Sequence, residues 1–299
     1  VDGDDLVFTG TVLLNHLAYA NWGGDNDAQI NSITFDAAAG AFVIGDAGGG
    51  PFTYKMLGDI TNNSTSLQTI NFPFQLNADV TANAAAGDIT IGGVISEDGS
   101  ARSLIKSGSN TLSLTGASTY TGTTDINAGK LQLGNGGTTG SLSTSSAIDI
   151  ASGAAFMVNR TDTVTQGTDF SSAAITGAGY IVNAGEGTLL LDRANSHTGG
   201  ARIGIDSTTS ESATRVLQVT HSDALGTGQL EFFKSGTFEL GADALTLSNN
   251  VFSGNYSAPG NDKIIKLDLA GTATGTLSGD IDTRGGNFES FKMDVGAAD

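Results

Sequence analysis

The chain repeats itself. TLSLTGASTYTGTT (111–124) and TLLLDRANSHTGGA (188–201) superimpose without a gap when Thr111 is set on Thr188. Leu112 falls on Leu189, Leu114 on Leu191, Ala117 on Ala194, and Thr121-Gly122 on Thr198-Gly199. The same offset carries Gly108 onto Gly185 and Ile126 onto Ile203. A second echo joins KLQLG…TTGSL (130–142) to VLQVT…GTGQL (216–230). Here the offset drifts, because Leu142 falls on Leu230 only if two positions are inserted after Leu131 is set on Leu217. Drift of that kind means loops of variable length inserted between strands of constant length. Self-similar, strand-sized phrases of this sort restrict the chain to an architecture of stacked coils.

Within each phrase the residues alternate. In TLSL, Leu112 and Leu114 point to one side and Thr111 and Ser113 to the other, the period of a strand with one buried face. DLVFTG (5–10), NSITFDA (31–37), DITIGG (88–93), ARIGID (201–206) and TFELGA (237–242) follow the same rule. No window carries a helical apolar stripe, so the expectation is all-β. The 43 Gly are spread along the chain and only 3 residues are Pro, which suits many tight corners. A coil cannot bury its apolar face alone, and stacking makes the core continuous. We expect one continuous solenoid over 1–299, with the best repeat at 107–134, looser ones at 184–219 and 217–247, and more divergent coils over 1–100. At roughly 20 residues per coil this gives about 15 coils and a rod on the order of 70 Å at the strand spacing.

Charge narrows the partners. Lys plus Arg number 13 and Asp plus Glu 31, a net charge of −18, which repels nucleic acid and anionic membrane surfaces. No apolar run is long enough to span a membrane as a helix. Cysteine is absent, which removes disulfides, thiolate metal sites and Cys nucleophiles. GNGG (134–137), GGG (48–50) and AGEG (184–187) lack the lysine and following helix of a phosphate loop and read as turns. The acids Asp2, Asp4 and Asp5, Asp25 and Asp27, and Asp280 and Asp282 could offer oxygens to Ca²⁺, but none has the spacing of a known calcium loop. Of the histidines His16, His197 and His221, His197 takes the place of Tyr120 in the repeat and reads as a corner or surface substitution. No nucleophile, base and orienting acid share a recognisable context, so we expect no enzyme and no cofactor. A β-helix enzyme acting on polysaccharide is the least favoured alternative.

Residues 107–134 resemble the autotransporter-associated β-strand repeat, through Thr111–Gly116, Ala117–Gly122 and Ile126–Gly134 in order. The segment INSITFDAAAGAFVIG (30–45) is similar to stretches that precede this repeat in long exported proteins. The resemblance implies a right-handed parallel β-helix forming a single elongated rod, export to the bacterial cell surface and a passenger role. We therefore expect an extracellular stalk or filament-forming subunit whose coils at either end stack on further coils. Leu112, Leu114, Leu131, Leu133, Leu189 and Leu191 are the expected core positions, and Gly116 and Gly134 the expected corners. The alternative is an adhesin that binds surface glycans. Trp22, in the polar loop NWGGDND (21–27), would then supply a stacking surface with Asp25 and Asp27 beside it.

Overall fold

The structure, a computed structural model, describes residues 3–10, 28–45, 53–205, 214–253, 263–270, 273–282 and 288–293. All of its regular elements are strands, and all of their pairings are parallel. Three ladders organise it. The longest unbranched one has eleven strands in sequence order: Val43–Ile44, Gln68–Ile70, Ile89–Ile91, Thr111–Leu114, Lys130–Gly137, Ala155–Arg160, Tyr180–Asn183, Ala201–Ile203, Leu230–Phe232, Val251–Ser253 and Ile281–Asp282. An N-terminal ladder runs from Gln29–Phe35 through Ile60–Asn62, Val80–Ala84, Leu104–Ser107, Thr124–Ile126 and Ile148–Ile150 to Thr176–Gly177, with a short branch of Tyr54–Met56, Phe74–Leu76 and Ile95–Glu97. A C-terminal ladder starts at Thr163–Thr165 and continues through Thr188–Leu191, Val216–Val219, Gly236–Leu240 and Lys263–Leu269 to Phe288–Met293. This is a parallel β-solenoid.

Coils are longer on average than the sequence phrases suggest, which corrects the expected number. One step along the long ladder leads from Leu114 to Leu133, the next from Leu133 to Val158, and a later one from Val251 to Ile281. Each of these steps uses more chain than the one before. Eleven rungs at the strand spacing span about 50 Å, short of the expected rod. The excess chain lies in corners, which lengthen a coil without lengthening the stack.

Register explains the alternation. Ile89, Leu112, Leu131, Phe156, Ile181, Ala201, Leu230 and Val251 are successive partners on the inner face, and all are buried. Burying each large aliphatic residue contributes about 1.5–3 kcal/mol. A single apolar cluster runs from Ile30 to Leu267.

The two repeat copies occupy different ladders. Leu104 and Leu112 sit on the N-terminal and long ladders, whereas their equivalents Ile181 and Leu189 sit on the long and C-terminal ladders. Leu112 reaches Ile181 in three rungs. What remains of the offset, from Ile181 to Leu189, is one step between ladders, the same step that separates Leu104 from Leu112. The repeat is therefore displaced by one face of the coil.

That displacement is built where the coils carry an extra segment. Gly137 pairs with Arg160, Leu142 N–H donates to the Asp169 carbonyl, and Thr163–Thr165 opens the C-terminal ladder. Arg160 is nearly buried and ties these pieces together. Its guanidinium donates to Asp162 at 2.8 and 2.5 Å, to Asp169 Oδ1 at 3.3 Å and to the Gly140 carbonyl at 3.0 Å. Gly134 turns the chain into this region with φ +76°, and a Cβ there would lie 2.6 Å from Arg160 Cγ and 2.7 Å from the Asn159 carbonyl. Gly116 answers a different demand, since a Cβ on it would meet the Gly93 carbonyl of the coil below at 2.5 Å.

Candidate functional site

Outward positions on the long ladder change character along its length. Val43, Thr69, Thr90, Ser113 and Gln132 are followed in register by Met157, Val182, Arg202, Glu231, Phe252 and Asp282. An outer face is normally polar, yet Met157 and Val182 are almost completely buried there, with Ala155 and Ala184 beside them. They form a second apolar cluster, separate from the core, against which Tyr180 and Ile205 pack.

This cluster is the floor of a groove of about 170 Å³, walled by Lys130, Tyr180, Arg202, Gly204, Ile205 and Phe233. Lys130, Ala155 and Tyr180 are consecutive partners, so the small Ala155 leaves a gap between a lysine and an aromatic ring. Arg202 is held over the Tyr180 ring at 3.6 Å and the Phe233 ring at 4.8 Å, and pairs with Glu231 Oε2 at 2.6 Å. Cation–π contact and the ion pair together fix its planar fork. The groove thus offers an apolar floor, aromatic edges, a paired arginine and a lysine.

Polar side chains also close the corners inside the coils. Lys106 is an inward residue of Leu104–Ser107, and its ammonium donates to the carbonyls of Ser107, Gly108 and Ala128 at 2.6, 2.8 and 3.0 Å. Burial lowers its pKa to about 8 against the opposing pull of Asp88. In the second copy Asn183 does this work, donating to the carbonyls of Gly187 and Val216. At the next corner the buried Tyr120 hydroxyl lies 2.7 Å from Thr124 Oγ1, which lies 2.8 Å from Ser146 Oγ. The second copy has Ala201 where the first has Thr124, and His197 turns to the Gly200 carbonyl at 3.1 Å instead. His197 is not on the surface: it is fully buried, its Nδ1 has no partner, and burial lowers its pKa to about 4.

Leu112, Leu114, Leu131, Leu133, Leu189 and Leu191 all lie in the buried core. Trp22, Asp25 and Asp27, with His16, Asp2 and the 48–50 glycines, lie outside the described residues. Asp280 and Asp282 line an open cleft with Gln229, Asn250 and Phe252. Among the described residues no three His, Asp or Glu side chains gather as metal ligands, and no helix is long and apolar enough to cross a membrane. The groove escaped sequence reasoning, although a signal for it exists. AAFMV (154–158) and YIV (180–182) are continuous apolar runs, the pattern of strands covered on both faces.

The family model for the passenger-associated-transport-repeat matches residues 104–133 and 181–204. These are the two segments that hold the displaced ladder strands and the corners between them. The adhesin BmaC autotransporter of Brucella suis biovar 1 (strain 1330) is 46% identical to this chain over 88 residues. That stretch is 29% of this chain and 2% of the curated relative. No solved structure matches the chain. Two segments of the chain thus match an autotransporter passenger repeat, and the chain spans only a small part of the curated autotransporter it resembles.

Proposed function

We propose that this chain is a stiff spacer segment of an exported surface passenger, acting outside the cell. The observation that carries this reading is the eleven-stranded parallel ladder with its continuous inner column from Ile89 to Val251. Each rung is bonded to the next along the stack, so bending the rod means straining many backbone hydrogen bonds at once. Likeness to an autotransporter adhesin supports placement at the bacterial surface. Small-angle scattering of the purified chain tests stiffness, with a rod-like profile of constant cross-section expected. A compact or flexible-chain profile would overturn it. Surface labelling of intact cells carrying the tagged full-length protein tests location, and label found only after lysis would count against it.

End-to-end stacking is the second reading. Among the described residues the strand Ile281–Asp282 pairs on one side only, with Val251–Ser253, and Ile281 is exposed. An unpaired parallel strand is a template for a further rung, and a head-to-tail contact of this type gives filaments. Electron microscopy that shows only isolated short rods at high concentration rules this out.

A further inference from the structure

The outer groove is a concavity on the water-facing side of the sheet, with Met157 and Val182 buried beneath it and Lys130, Tyr180, Arg202 and Phe233 around it. Backbone groups beneath it are all engaged in the ladder, through Ala155–Tyr180, Phe156–Ile181, Met157–Val182 and Ile181–Ala201. A peptide strand adding to the sheet would need free N–H and carbonyl groups at an edge, and this groove is mid-ladder. Recognition must therefore come from side chains, and about 170 Å³ admits a single ring rather than a chain.

Charge selects the ring. The described cations around the chain are largely committed: Arg102 to Asp98, Arg160 to Asp162 and Asp169, Arg193 to Asp192, Arg202 to Glu231, and Lys106 to buried carbonyls. Lys130 has no side-chain hydrogen bond or ion pair among the described residues, and it stands at the groove mouth opposite Tyr180. In a chain of net charge −18, a lone ammonium beside an aromatic ring is a local site for one negative group. Arg202, held over the Tyr180 and Phe233 rings and paired with Glu231, offers its remaining N–H donors to hydroxyls.

We propose that this groove binds one carboxylated sugar residue. Its carboxylate meets Lys130, its apolar ring face lies against Tyr180 and Ile205 above the buried Met157 and Val182, and its hydroxyls meet Arg202. This holds whether or not the rod serves as a spacer.

Calorimetric titration of the purified chain at low salt, with glucuronic acid and with glucose, tests it. Glucuronic acid should bind with a Kd in about the millimolar range, at least about tenfold tighter than glucose, and more weakly as salt rises. Lys130→Met keeps the stem and removes the charge. It should lose about tenfold in affinity for the acid with an unchanged melting temperature, and Lys130→Arg should restore binding. No heat from glucuronic acid with the parent chain, equal binding of glucose, or an unaffected Lys130→Met variant would each overturn the proposal. Binding of an acidic peptide in place of either sugar would assign the groove to a protein partner instead.

Discussion

The first repeat copy and the second share a sequence pattern but do not share a position in the solenoid. Leu112 and Leu114 are sandwiched on the long ladder between Ile89–Ile91 and Leu131–Leu133. Leu189 and Leu191 instead stand near the start of the C-terminal ladder, with Val164 on one side and Leu217 and Val219 on the other. The repeat therefore encodes a local unit, two inward leucines and a corner, and not an address on the coil. Any face that accepts two apolar side chains per strand accepts the unit. The coils between the copies decide which face that is.

The largest blow to this equivalence is Leu114→Asp. Losing a buried leucine and placing a carboxylate among Ile91 and Leu133 should cost about 5 kcal/mol, read as a lowered denaturation midpoint. Unchanged melting would mean that the inner column does not hold the first copy. Next comes Arg160→Met, which removes the tie between Gly140, Asp162 and Asp169 where the displacement is made. Losing the bonds to Asp162, Asp169 Oδ1 and the Gly140 carbonyl, with Asp169 keeping only the Thr165 N–H, should cost about 3 kcal/mol. Hydrogen exchange should rise first across 134–172 rather than across 80–114, and a uniform rise would show that the extra segment is not an independent joint.

His197 sharpens the comparison through pH, since Tyr120 holds the matching corner of the first copy without a charge change in the acid range. The folded state keeps His197 neutral down to about pH 4, from an ordinary value of 6.5. Unfolded chains take up the proton first, so its contribution is whole above pH 6.5 and is lost as pH falls from 6.5 to 4. That loss amounts to about 3 kcal/mol. His197→Gln should flatten the stability profile in that window relative to the parent chain, and parallel profiles would remove the histidine from the account.

Gly134→Ala should cost about 1–2 kcal/mol, from its positive φ and the contacts a Cβ would make with Arg160 and the Asn159 carbonyl. The smallest effect is expected at Ser118. Its buried hydroxyl has no partner, whereas the matching Asn195 exchanges hydrogen bonds with Gln166 and donates to the Ala224 carbonyl. Ser118→Ala should shift stability by less than about 0.5 kcal/mol or raise it slightly, while Asn195→Ala should lower it clearly by thermal melt.

Much of the fold was legible before any coordinates. Alternation in TLSL and KLQL assigns inner and outer sides, because a strand has a period of two whatever surrounds it. Glycine at 116 and 134 marks places where a Cβ has no room. The number of coils was overestimated, since corner length is not written in the alternating phrases. The groove was missed for a related reason: Met157, Val182, Tyr180 and Arg202 come from three successive strands of the long ladder and meet only through register. Of the two readings of His197, corner or surface, the corner holds and the surface does not, because an imidazole in a polar phrase looks solvated until its coil closes over it.

The sequence by itself determined the local unit, the all-β class and the stacking principle, since each follows from short-range periodicity and from the inability of a single coil to bury its own apolar face. Only the tertiary structure decided that the second copy lies three rungs and one extra face from the first, that Arg160 ties the joint, and that an apolar run on the outer side becomes a groove. Those depend on how corners of unequal length are taken up by neighbouring coils, a sum over contacts that no single phrase contains.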